Sequence, residues 1–456
     1  MKEFPHNIFK KYDIRGIYPK ELDETMIYKI GRAYATFLWS KNPQAKKLKV
    51  IVGKDMRLST PALEKKLVEA LTEGGLDVTR IGLASTPTFY FAVAFYGFDG
   101  GLQVSASHNP KEYNGVKMVR QKAIPISEET GITEIKNIVL SGEFLDKDNQ
   151  GEIAEMDNVI EAAVKEELKG IDYSEIKPFR IVVDAANAMG ALDIEAIFSS
   201  LPCELIKMNF ELDGTFPVHQ PDPLDEDNLQ ILKEAVKKEK ADLGIAPDGD
   251  GDRYFFVDDK GEAVRQEILR GIMAQIELAE NPGATVVYDI RPGRITRDLI
   301  EEAGGRPIVA PVGHSLIKEV MIKENAIFGG ESSGHYFYKF PYGTFESPIV
   351  LVVKLLRYLS QRHQPFSQVI KPYQRYFHSG EINSEVADVK GKIEELKKYY
   401  ADGEQNYIDG VTVTYDDWWF NLRGSNTEPK IRLNLEARSK ELMEEKRDEV
   451  LKMIRK

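Results

Sequence analysis

The chain has 456 residues, which at roughly 150 residues per domain predicts about three domains, with four inside the usual scatter. Apolar residues make up 42% of the chain and charged residues 29%, so wholesale disorder and fibrous repeats are excluded. The 61 Lys and Arg residues against 73 Asp and Glu give a net charge of −12, which argues against a general nucleic-acid binder.

The sequence also predicts the compartment. Its single cysteine, Cys203, cannot form an internal disulfide, as is typical of a reducing environment. The first residues contain no apolar signal core, and no run approaches the roughly 20 apolar residues that span a bilayer. We therefore expect a cytoplasmic protein with neither a membrane nor a nucleic acid as partner.

Short apolar runs followed by helical patterns recur through most of the chain. Each run ends in a polar turn, and the segment after it has the periodicity of a helix. Such alternation is typical of βαβ units on mainly parallel sheets. The clearest predicted strands are Lys49–Gly53, Arg180–Asp184 and Thr285–Ile290.

The last part of the chain has a different pattern. A predicted helix near Val389–Tyr400 precedes the β-rich run Gly410–Phe420, the strand Ile431–Glu436 and a charged helix. We therefore predict an α/β protein with three similar mixed α/β domains and a smaller C-terminal α+β domain. The predicted domains are residues 1–150, 151–256, 257–367 and 368–456.

The strongest local motif is Asp248-Gly-Asp250-Gly-Asp252, directly after an apolar strand. Alternate side chains of an extended chain point the same way, so three carboxylates converge and favour a hard cation such as Mg²⁺. A solvated acidic turn is the alternative, but three alternating Asp residues favour the metal. A calcium loop is excluded, because its sixth position would need Gly and its twelfth Glu, where Arg253 and Asp259 stand.

A second motif, Ser105–Pro110, follows the predicted strand Gly101–Val104. A serine such as Ser107, on a tight loop at the carboxyl end of a strand, lies where α/β sheets bind ligands. Backbone amides and the nearby Lys117 are suited to stabilising a phosphoryl group. Ser, Asn and Pro are also common turn residues, so this stretch alone favours an ordinary polar turn.

The third motif is Gly329–His335, which contains Glu331, Ser333 and His335. Glu and Ser can hydrogen-bond sugar hydroxyls, and His transfers protons near neutral pH. The stretch also matches the G-x-S-x-G elbow of serine hydrolases, but that elbow needs a helix directly after the serine. The aromatic run Tyr336–Phe340 is instead typical of a strand and disfavours a hydrolase.

The fourth motif, Arg423–Pro429, lies between two predicted strands. A guanidinium, two hydroxyls, an amide and a glycine can form a phosphate cradle. Alone, such a stretch is more often an ordinary surface loop. Its weight as a functional motif comes from the other three.

Taken together and in this order, the four motifs resemble those of the α-D-phosphohexomutase family, in its bacterial phosphomannomutase/phosphoglucomutase branch. The resemblance extends over essentially the whole chain. It implies three similar α/β domains and a fourth, smaller domain around a central cleft, with Mg²⁺ and a hexose 1,6-bisphosphate as cofactors. It also implies that Ser107 is the phosphorylated serine, and that Asp248, Asp250 and Asp252 bind the metal together with the phosphate on Ser107.

Further residues match family positions for charge stabilisation and proton transfer: Arg15, Lys117, Arg253 and His335. Others match the family's binders of the sugar and of its non-transferred phosphate: Tyr12, Arg291, His314, Glu331, Ser333, Arg423, Ser425, Asn426 and Thr427. Ser105 and Arg291 stand where the family often has Thr and Lys. Tyr342–Ser347 replaces a stretch that usually contains Asp-Gly, and the role of Glu346 within it stays open.

The implied activity is reversible transfer of a phosphoryl group between C1 and C6 of a mannose or glucose phosphate, through phospho-Ser107 and the bisphosphate. Phosphoglucosamine mutase is the nearest alternative, although its subgroup usually has Gln before the Ser of the sugar loop. A Mg²⁺-dependent sugar phosphatase and a non-enzymatic sugar-phosphate sensor are more distant alternatives. The expected partners are small sugar phosphates, and the expected assembly is a monomer or homodimer.

Overall fold

The computed structural model describes residues 5–424 and 429–456. The chain folds into two compact units. The first unit consists of Met1–Val264 and Gly334–Phe366, and the second of Arg265–Ser333 and Ser367–Lys456. No helix among the described residues has the length and apolar character to cross a membrane.

The first unit begins with a seven-stranded sheet flanked by helices. Its strands have the order β1-β5-β4-β2-β3-β7, with β6 beside β5. Strands β4, β2, β3 and β7 are parallel, whereas β5 runs antiparallel to both β4 and β1. The elements are β1 (Ile14–Ile17), α1 (Glu24–Lys41), β2 (Lys49–Lys54), α2 (Thr60–Glu73), β3 (Asp77–Leu83), α3 (Thr86–Phe95), β4 (Gly100–Val104), β5 (Tyr113–Arg120), β6 (Ile124–Pro125), α4 (Thr133–Ser141) and β7 (Ile153–Glu155).

The apolar pattern explains where these elements lie. Strand β2 is buried along its middle because parallel strands on both sides and helices on both faces cover it. Helix α3 is mostly apolar and nine of its ten residues, 86–94, are buried, so it has almost no solvent face and no helical periodicity to predict it. At its N-terminus, the amide of Thr86 donates to the backbone oxygen of Asp250 in a neighbouring loop.

A second sheet follows in the same unit, with the order β11-β10-β8-β9. Strands β10, β8 and β9 are parallel, and β11 returns antiparallel to β10. The elements are α5 (Val159–Glu167), β8 (Arg180–Asp184), α6 (Gly190–Phe198), β9 (Glu204–Met208), α7 (Gln230–Glu239), β10 (Leu243–Pro247) and β11 (Tyr254–Asp258).

The third α/β region starts in the second unit and ends in the first. In the second unit, β12 pairs in parallel with both β13 and β14. The part in the first unit is an antiparallel hairpin, β15–β16, followed by a buried helix. The elements are α8 (Gln266–Glu280), β12 (Thr285–Asp289), α9 (Arg294–Glu302), β13 (Arg306–Ala310), α10 (His314–Lys323), β14 (Phe328–Gly330), β15 (Tyr336–Phe340), β16 (Gly343–Glu346) and α11 (Pro348–Arg362).

The C-terminal region contains a five-stranded antiparallel sheet with the order β17-β21-β20-β19-β18. Three α/β regions and this antiparallel sheet confirm the predicted fold class. The elements are α12 (Phe366–Ile370), β17 (Phe377–Glu385), α13 (Val389–Tyr399), β18 (Glu404–Asn406), β19 (Val411–Thr414), β20 (Trp418–Gly424), β21 (Lys430–Ala437) and α14 (Lys440–Ile454).

Candidate active site

The predicted phosphoserine loop lies between β4 and β5, at the carboxyl end of β4. Ser107 is 2% exposed and has a left-handed backbone, with φ of 51°. Its amide donates to Ser105 Oγ at 3.0 Å, and its own Oγ donates to Asp248 Oδ2 at 2.9 Å. A non-glycine residue in this conformation is strained, so the loop must be held by its surroundings.

The predicted metal loop follows β10 directly. Its three carboxylates, Asp248, Asp250 and Asp252, are buried, and one oxygen of each lies within 4.8 Å of the others. Gly249 allows the two loops to touch, because a Cβ at that position would lie 2.3 Å from the carbonyl oxygen of Ser107. The structure thus brings the predicted serine and the three predicted aspartates into one centre.

Lys117 neutralises part of this acidic cluster. Its Nζ lies 2.5 Å from Asp250 Oδ2 and 2.5 Å from Asp252 Oδ2, and the lysine is almost wholly buried. Burial opposes the ionisation of Asp252, but Lys117 and His335 outweigh it and hold the pKa of that carboxyl well below its usual value. Asp248 has the opposite shift, since burial and the two neighbouring carboxylates raise its pKa well above the ordinary value.

The donor set fits a magnesium ion. All three side chains offer carboxylate oxygens, which Mg²⁺ prefers. Asp250 Oδ1 is buried and accepts no hydrogen bond, so one acceptor of the cluster is not used by the protein. A buried acceptor without a donor is costly unless a ligand completes it.

A support for the metal loop that the sequence did not indicate comes from the start of α3. The amide of Thr86 donates to the backbone oxygen of Asp250 at 2.8 Å, and Thr86 Oγ1 donates to Asp250 Oδ2 at 2.5 Å. The preceding Ser85 caps the helix and donates to Asp193 Oδ1 at 2.8 Å. The N-terminus of α3 therefore fixes both the backbone and the carboxylate of Asp250.

Arg15 lies on β1 beside the serine loop. Its Nε donates to Asp13 Oδ2 at 2.8 Å, and its NH1 donates to the oxygen of Ala106 at 3.3 Å and to Asn109 Oδ1. Burial opposes its charge, but Asp13 more than compensates and raises the pKa of Arg15. Arg15 is thus a fixed cation next to Ser107, and Tyr12 lies just before the same strand.

Arg253 is the second cation near the carboxylates. Its Nε lies 3.8 Å from Asp248 Oδ2 and its NH1 lies 3.8 Å from Asp222 Oδ1. Both distances are long for an ion pair, and the side chain is partly exposed, so the guanidinium retains donors for an incoming anion.

His335 belongs to the same centre as the aspartates. Its Nε2 lies 3.1 Å from Asp252 Oδ1, and the backbone oxygen of Gly334 accepts from the amide of Tyr254 at 3.0 Å. Glu346, whose role the sequence left open, is buried on β16 and forms a close group with Asp252 and His335. The stretch Tyr342–Ser347 therefore places a carboxylate beside the reaction centre.

In the second unit, the predicted sugar loop follows β14. Glu331 is buried, and its Oε1 accepts from Arg291 NH2 at 3.0 Å and from the amide of Gly313 at 3.0 Å. Asp289, at the end of β12, accepts from Arg291 Nε at 2.5 Å and from the amide and Oγ of Ser332 at 3.0 and 2.8 Å. Burial opposes the charge of Arg291, yet these two carboxylates raise its pKa.

A fully buried arginine on α8, Arg270, lies beneath this loop. It donates to Asp289 Oδ1, to Ser332 Oγ at 3.2 Å, to Thr296 Oγ1 at 3.1 Å and to the oxygen of Pro292 at 2.9 Å. The Glu331 and Ser332 part of the loop is therefore connected to α8 through Asp289.

The remaining predicted residues of the second unit are placed as follows. His314 begins α10, and Ser333 is a buried residue of the sugar loop. Arg423 lies at the end of β20, where it donates to Glu381 and lies 3.7 Å from Asp409 Oδ2. Three further residues of the predicted phosphate loop lie outside the described part of the chain: Ser425, Asn426 and Thr427.

The residues of these networks that were missed from the sequence include Thr86, Arg270 and Asp289. Asp289 carries a signal that could have found it, because it is a charged residue at the carboxyl end of a buried strand. Thr86 and Arg270 lie in helices, and nothing in their local pattern indicates a role.

Comparison with known proteins agrees with this organisation. Four family profiles match the chain in order: Phosphoglucomutase/phosphomannomutase alpha/beta/alpha domains I, II and III at residues 6–146, 160–261 and 267–376, and the C-terminal domain at residues 381–453.

Individual proteins match over nearly the whole length. A phosphomannomutase of Vibrio cholerae is 38% identical over 100% of this chain and 99% of its own, and the phosphohexose mutases of Xanthomonas campestris are 39% identical over 98% and 99%. A crystal structure of a phosphoglucomutase/phosphomannomutase family protein from Burkholderia thailandensis, 31% identical, superposes with a TM-score of 0.88 over 98% of this chain and 96% of its own. The chain therefore belongs to the phosphoglucomutase/phosphomannomutase family and is a phosphohexose mutase, an isomerase.

Proposed function

We propose that this protein moves a phosphoryl group reversibly between C1 and C6 of mannose and glucose phosphates by way of Ser107. The observation that carries the proposal is the 2.9 Å hydrogen bond from Ser107 Oγ to Asp248, inside a cluster of three buried carboxylates. A serine hydroxyl in this position can alternate between a phosphorylated and a free state beside a divalent cation.

Each half-reaction exchanges one ester for another. In the first, the bond between phosphorus and Ser107 Oγ breaks, a bond forms to the oxygen of the free sugar hydroxyl, the hydroxyl proton passes to a base, and Ser107 Oγ takes up a proton as it leaves. The product is a hexose 1,6-bisphosphate. After this intermediate reverses its orientation, its other phosphate returns to Ser107 Oγ and leaves the isomerised monophosphate, so no net phosphate is consumed.

Charge stabilisation is the main task of the side chains around Ser107. Mg²⁺ held by Asp248, Asp250, Asp252 and an oxygen of the Ser107 phosphate would neutralise the charge of the transferring group. Lys117, Arg15 and Arg253 add fixed positive charge, which phosphoryl transfer needs more than covalent assistance. The candidates for handling the hydroxyl proton are Lys117, Arg15 and His335, and of these we favour charge stabilisation for Arg15, because a guanidinium is a poor base at its usual pKa.

We further propose that four domains, at residues 1–150, 151–256, 257–367 and 368–456, supply one functional loop each. Glu331 and Ser333 would bind sugar hydroxyls. The non-transferred phosphate and the rest of the substrate would be bound by Tyr12, Arg291, His314, Arg423, Ser425, Asn426 and Thr427.

Sugar preference follows from the ligands assigned to the sugar loop. Glucose and mannose differ only at C2, so a loop that binds O3 and O4 through Glu331 and Ser333 accepts both. We therefore expect comparable turnover of mannose 1-phosphate and glucose 1-phosphate, and weaker turnover of glucosamine 1-phosphate. A dominant amino-sugar activity would instead make the protein a phosphoglucosamine mutase.

The decisive experiment is intact-mass analysis of the protein before and after incubation with glucose 1,6-bisphosphate, with peptide mapping of the added phosphoryl group. We expect one phosphoryl group, on Ser107, and a complete loss of isomerisation in Ser107→Ala with the fold retained. Free phosphate is measured in the same assay. Its stoichiometric release would identify a phosphatase, and phosphorylation at another residue would contradict the proposal.

A further inference from the structure

The serine loop is held by an arginine that takes no part in the mechanism above. Residues 105–112 connect β4 to β5, so their carbonyl groups are not in a ladder and need other donors. Arg57, which is 1% exposed, supplies donors for three of them and for Tyr113, the first residue of β5. Its NH2 donates to the oxygens of Ser107 and Asn109 at 2.7 and 2.6 Å, and its NH1 donates to those of Pro110 and Tyr113 at 2.7 and 3.0 Å.

These four hydrogen bonds use the donors of both terminal nitrogens of one planar group. The positions of four carbonyl oxygens are therefore fixed relative to each other by a rigid fork, which a lysine ammonium cannot reproduce. One of the four belongs to Ser107 itself, whose left-handed backbone must be stabilised from outside.

Arg57 is itself immobilised. Asp55 Oδ1 accepts from the amide of Arg57 at 3.0 Å and from Thr60 Oγ1 at 2.7 Å, while Asp55 Oδ2 lies 3.2 Å from Arg57 Nε. The ring of Phe216 covers the guanidinium, with 5.0 Å between the guanidinium carbon and the ring centroid. At Gly214 there is no room for a side chain, since a Cβ would lie 2.7 Å from the Cα of Arg57.

Asp55 and Arg57 follow β2 in the first sheet, whereas Gly214 and Phe216 belong to the loop between β9 and α7, in the same region as the metal loop. The guanidinium therefore connects the serine loop with the end of β2 and with the loop that follows β9. This connection is distinct from the hydrogen bond that the metal cluster accepts, which comes from the side chain of Ser107 to Asp248.

We propose that Arg57 is a positioning residue for phosphoryl transfer, which fixes the backbone of the serine loop so that Ser107 Oγ keeps one position in both half-reactions. The proposal rests on the function assigned to Ser107 above. Because the serine must donate a phosphoryl group and later accept one in line, a displacement of its Oγ by about 1 Å slows transfer about 100-fold. Substrate affinity depends on other residues and is not expected to change.

The test is Arg57→Lys, which retains the charge but loses the fork. We expect the single-turnover rate of phosphoryl transfer from glucose 1,6-bisphosphate to dephosphorylated Ser107 to fall about 100-fold, and the KM for mannose 1-phosphate to stay within about threefold. Hydrogen exchange of the amides at residues 105–114 should accelerate selectively. Arg32→Lys is the matched control, because Arg32 is also an arginine with a mostly buried side chain, but it lies on α1 and donates to Tyr28 of the same helix and to Asp146 after α4.

A normal transfer rate in folded Arg57→Lys, or a rise in KM without a fall in rate, would overturn the proposal. Phe216→Leu keeps it testable if Arg57→Lys does not fold, since it removes only the ring that covers the guanidinium. There we expect a smaller loss of rate, about tenfold, again without a change in KM, and an unchanged rate would count against the proposal. If wild-type protein is not phosphorylated on Ser107 at all, the proposed function fails; if it is and the variants transfer normally, only the role of Arg57 fails.

Discussion

The two units support their functional loops by different means. In the first unit, Arg57 donates to three backbone oxygens of the loop that holds Ser107 and to one at the start of β5. In the second, Arg270 contacts the sugar loop through the carboxylate of Asp289 and the hydroxyl of Ser332.

The difference indicates how each loop performs its task. Backbone anchoring fixes the path of the chain itself, which suits a nucleophile that must be in line with its phosphorus atom. In the second unit, a chain of alternating side-chain charges instead orients Glu331 of the sugar loop and Arg291 after β12, the groups proposed above to bind the substrate. Damage in the first unit should therefore lower kcat, and damage in the second should raise KM.

The largest effect is expected from Asp248→Asn in the first unit. The variant removes the charge of the carboxylate that accepts the hydrogen bond from the Ser107 hydroxyl. We therefore expect kcat to fall at least about 1,000-fold with little change in KM. Without Mg²⁺ its melting temperature should rise, since the repulsion among three buried carboxylates is relieved. Steady-state kinetics and calorimetry with and without EDTA measure both effects, and a lower melting temperature in EDTA would show that Asp248 stabilises the metal-free fold.

The complementary change in the second unit is Arg270→Lys. It keeps the charge beside Asp289 but loses the contacts to Thr296 and Pro292, so Asp289 and Ser332 are less well held. We expect the KM for mannose 1-phosphate to rise about tenfold and kcat to change less than threefold, the opposite of the result expected for Arg57→Lys. If kcat fell and KM stayed constant, the contrast between the units would be wrong. The rate of phosphorylation of Ser107 by the bisphosphate at saturation serves as the control and should be normal.

The sequence indicated the residues proposed for the chemistry more readily than the residues that hold them in place. Three alternating aspartates after a strand have few other uses, and the structure brings Asp248, Asp250 and Asp252 together with Ser107. The partners of Arg57 are backbone oxygens some fifty residues away along the chain. Backbone oxygens leave no trace in the residue types, so only the tertiary structure shows such contacts.

The fold shows the same limit. The strand Arg180–Asp184 was predicted with the bounds it has, because a parallel strand covered on both faces leaves a continuous apolar run. The β-rich run Gly410–Phe420 proves to be two strands, β19 and β20, separated by a polar turn. Helix α3 gives no signal, since burial of nearly all its residues removes the amphipathic period on which such predictions depend.

A smaller effect is expected for Thr86, the second support of the first unit's reaction centre. Thr86→Val removes the hydroxyl that donates to Asp250 and keeps the shape of the side chain. We expect the Mg²⁺ concentration for half-maximal activity to rise about fivefold, with kcat at saturating Mg²⁺ nearly normal. The stabilisation of the protein by Mg²⁺ in thermal melts should weaken in parallel, as a readout independent of turnover. Thr86→Ser restores the donor and should restore both values; a Ser variant as poor as Val would mean that packing of the methyl group matters instead.

The smallest expected effects are on stability. Each unit contains a buried glutamate, so the pH dependence of stability can be compared between the two units. Burial raises the pKa of Glu167 in the first unit to about 8. The nearby Asp193 also raises this pKa, whereas the hydrogen bond from Ser347 lowers it. In the second unit, burial raises the pKa of Glu436 to about 7, opposed by the hydrogen bond from Trp419. Above the usual glutamate pKa the unfolded chain releases a proton that the folded protein keeps, so each group lowers stability as the pH rises towards its own folded-state pKa.

Substitution by glutamine removes this pH dependence and retains a hydrogen-bonding side chain. Calorimetry at about pH 5.5 and about pH 8.5 measures how far the melting temperature of each unit falls over this interval. In the transition of the first unit, we expect this fall to be roughly 5 °C smaller in Glu167→Gln than in wild type. In the transition of the second unit, we expect a smaller difference of the same sign between Glu436→Gln and wild type. Because the two groups lie in different units, each variant should move one transition and leave the other where it was. A single transition that both variants shift equally would show that the two units unfold together. The units would then differ in how they support their functional loops, but not in their thermal stability.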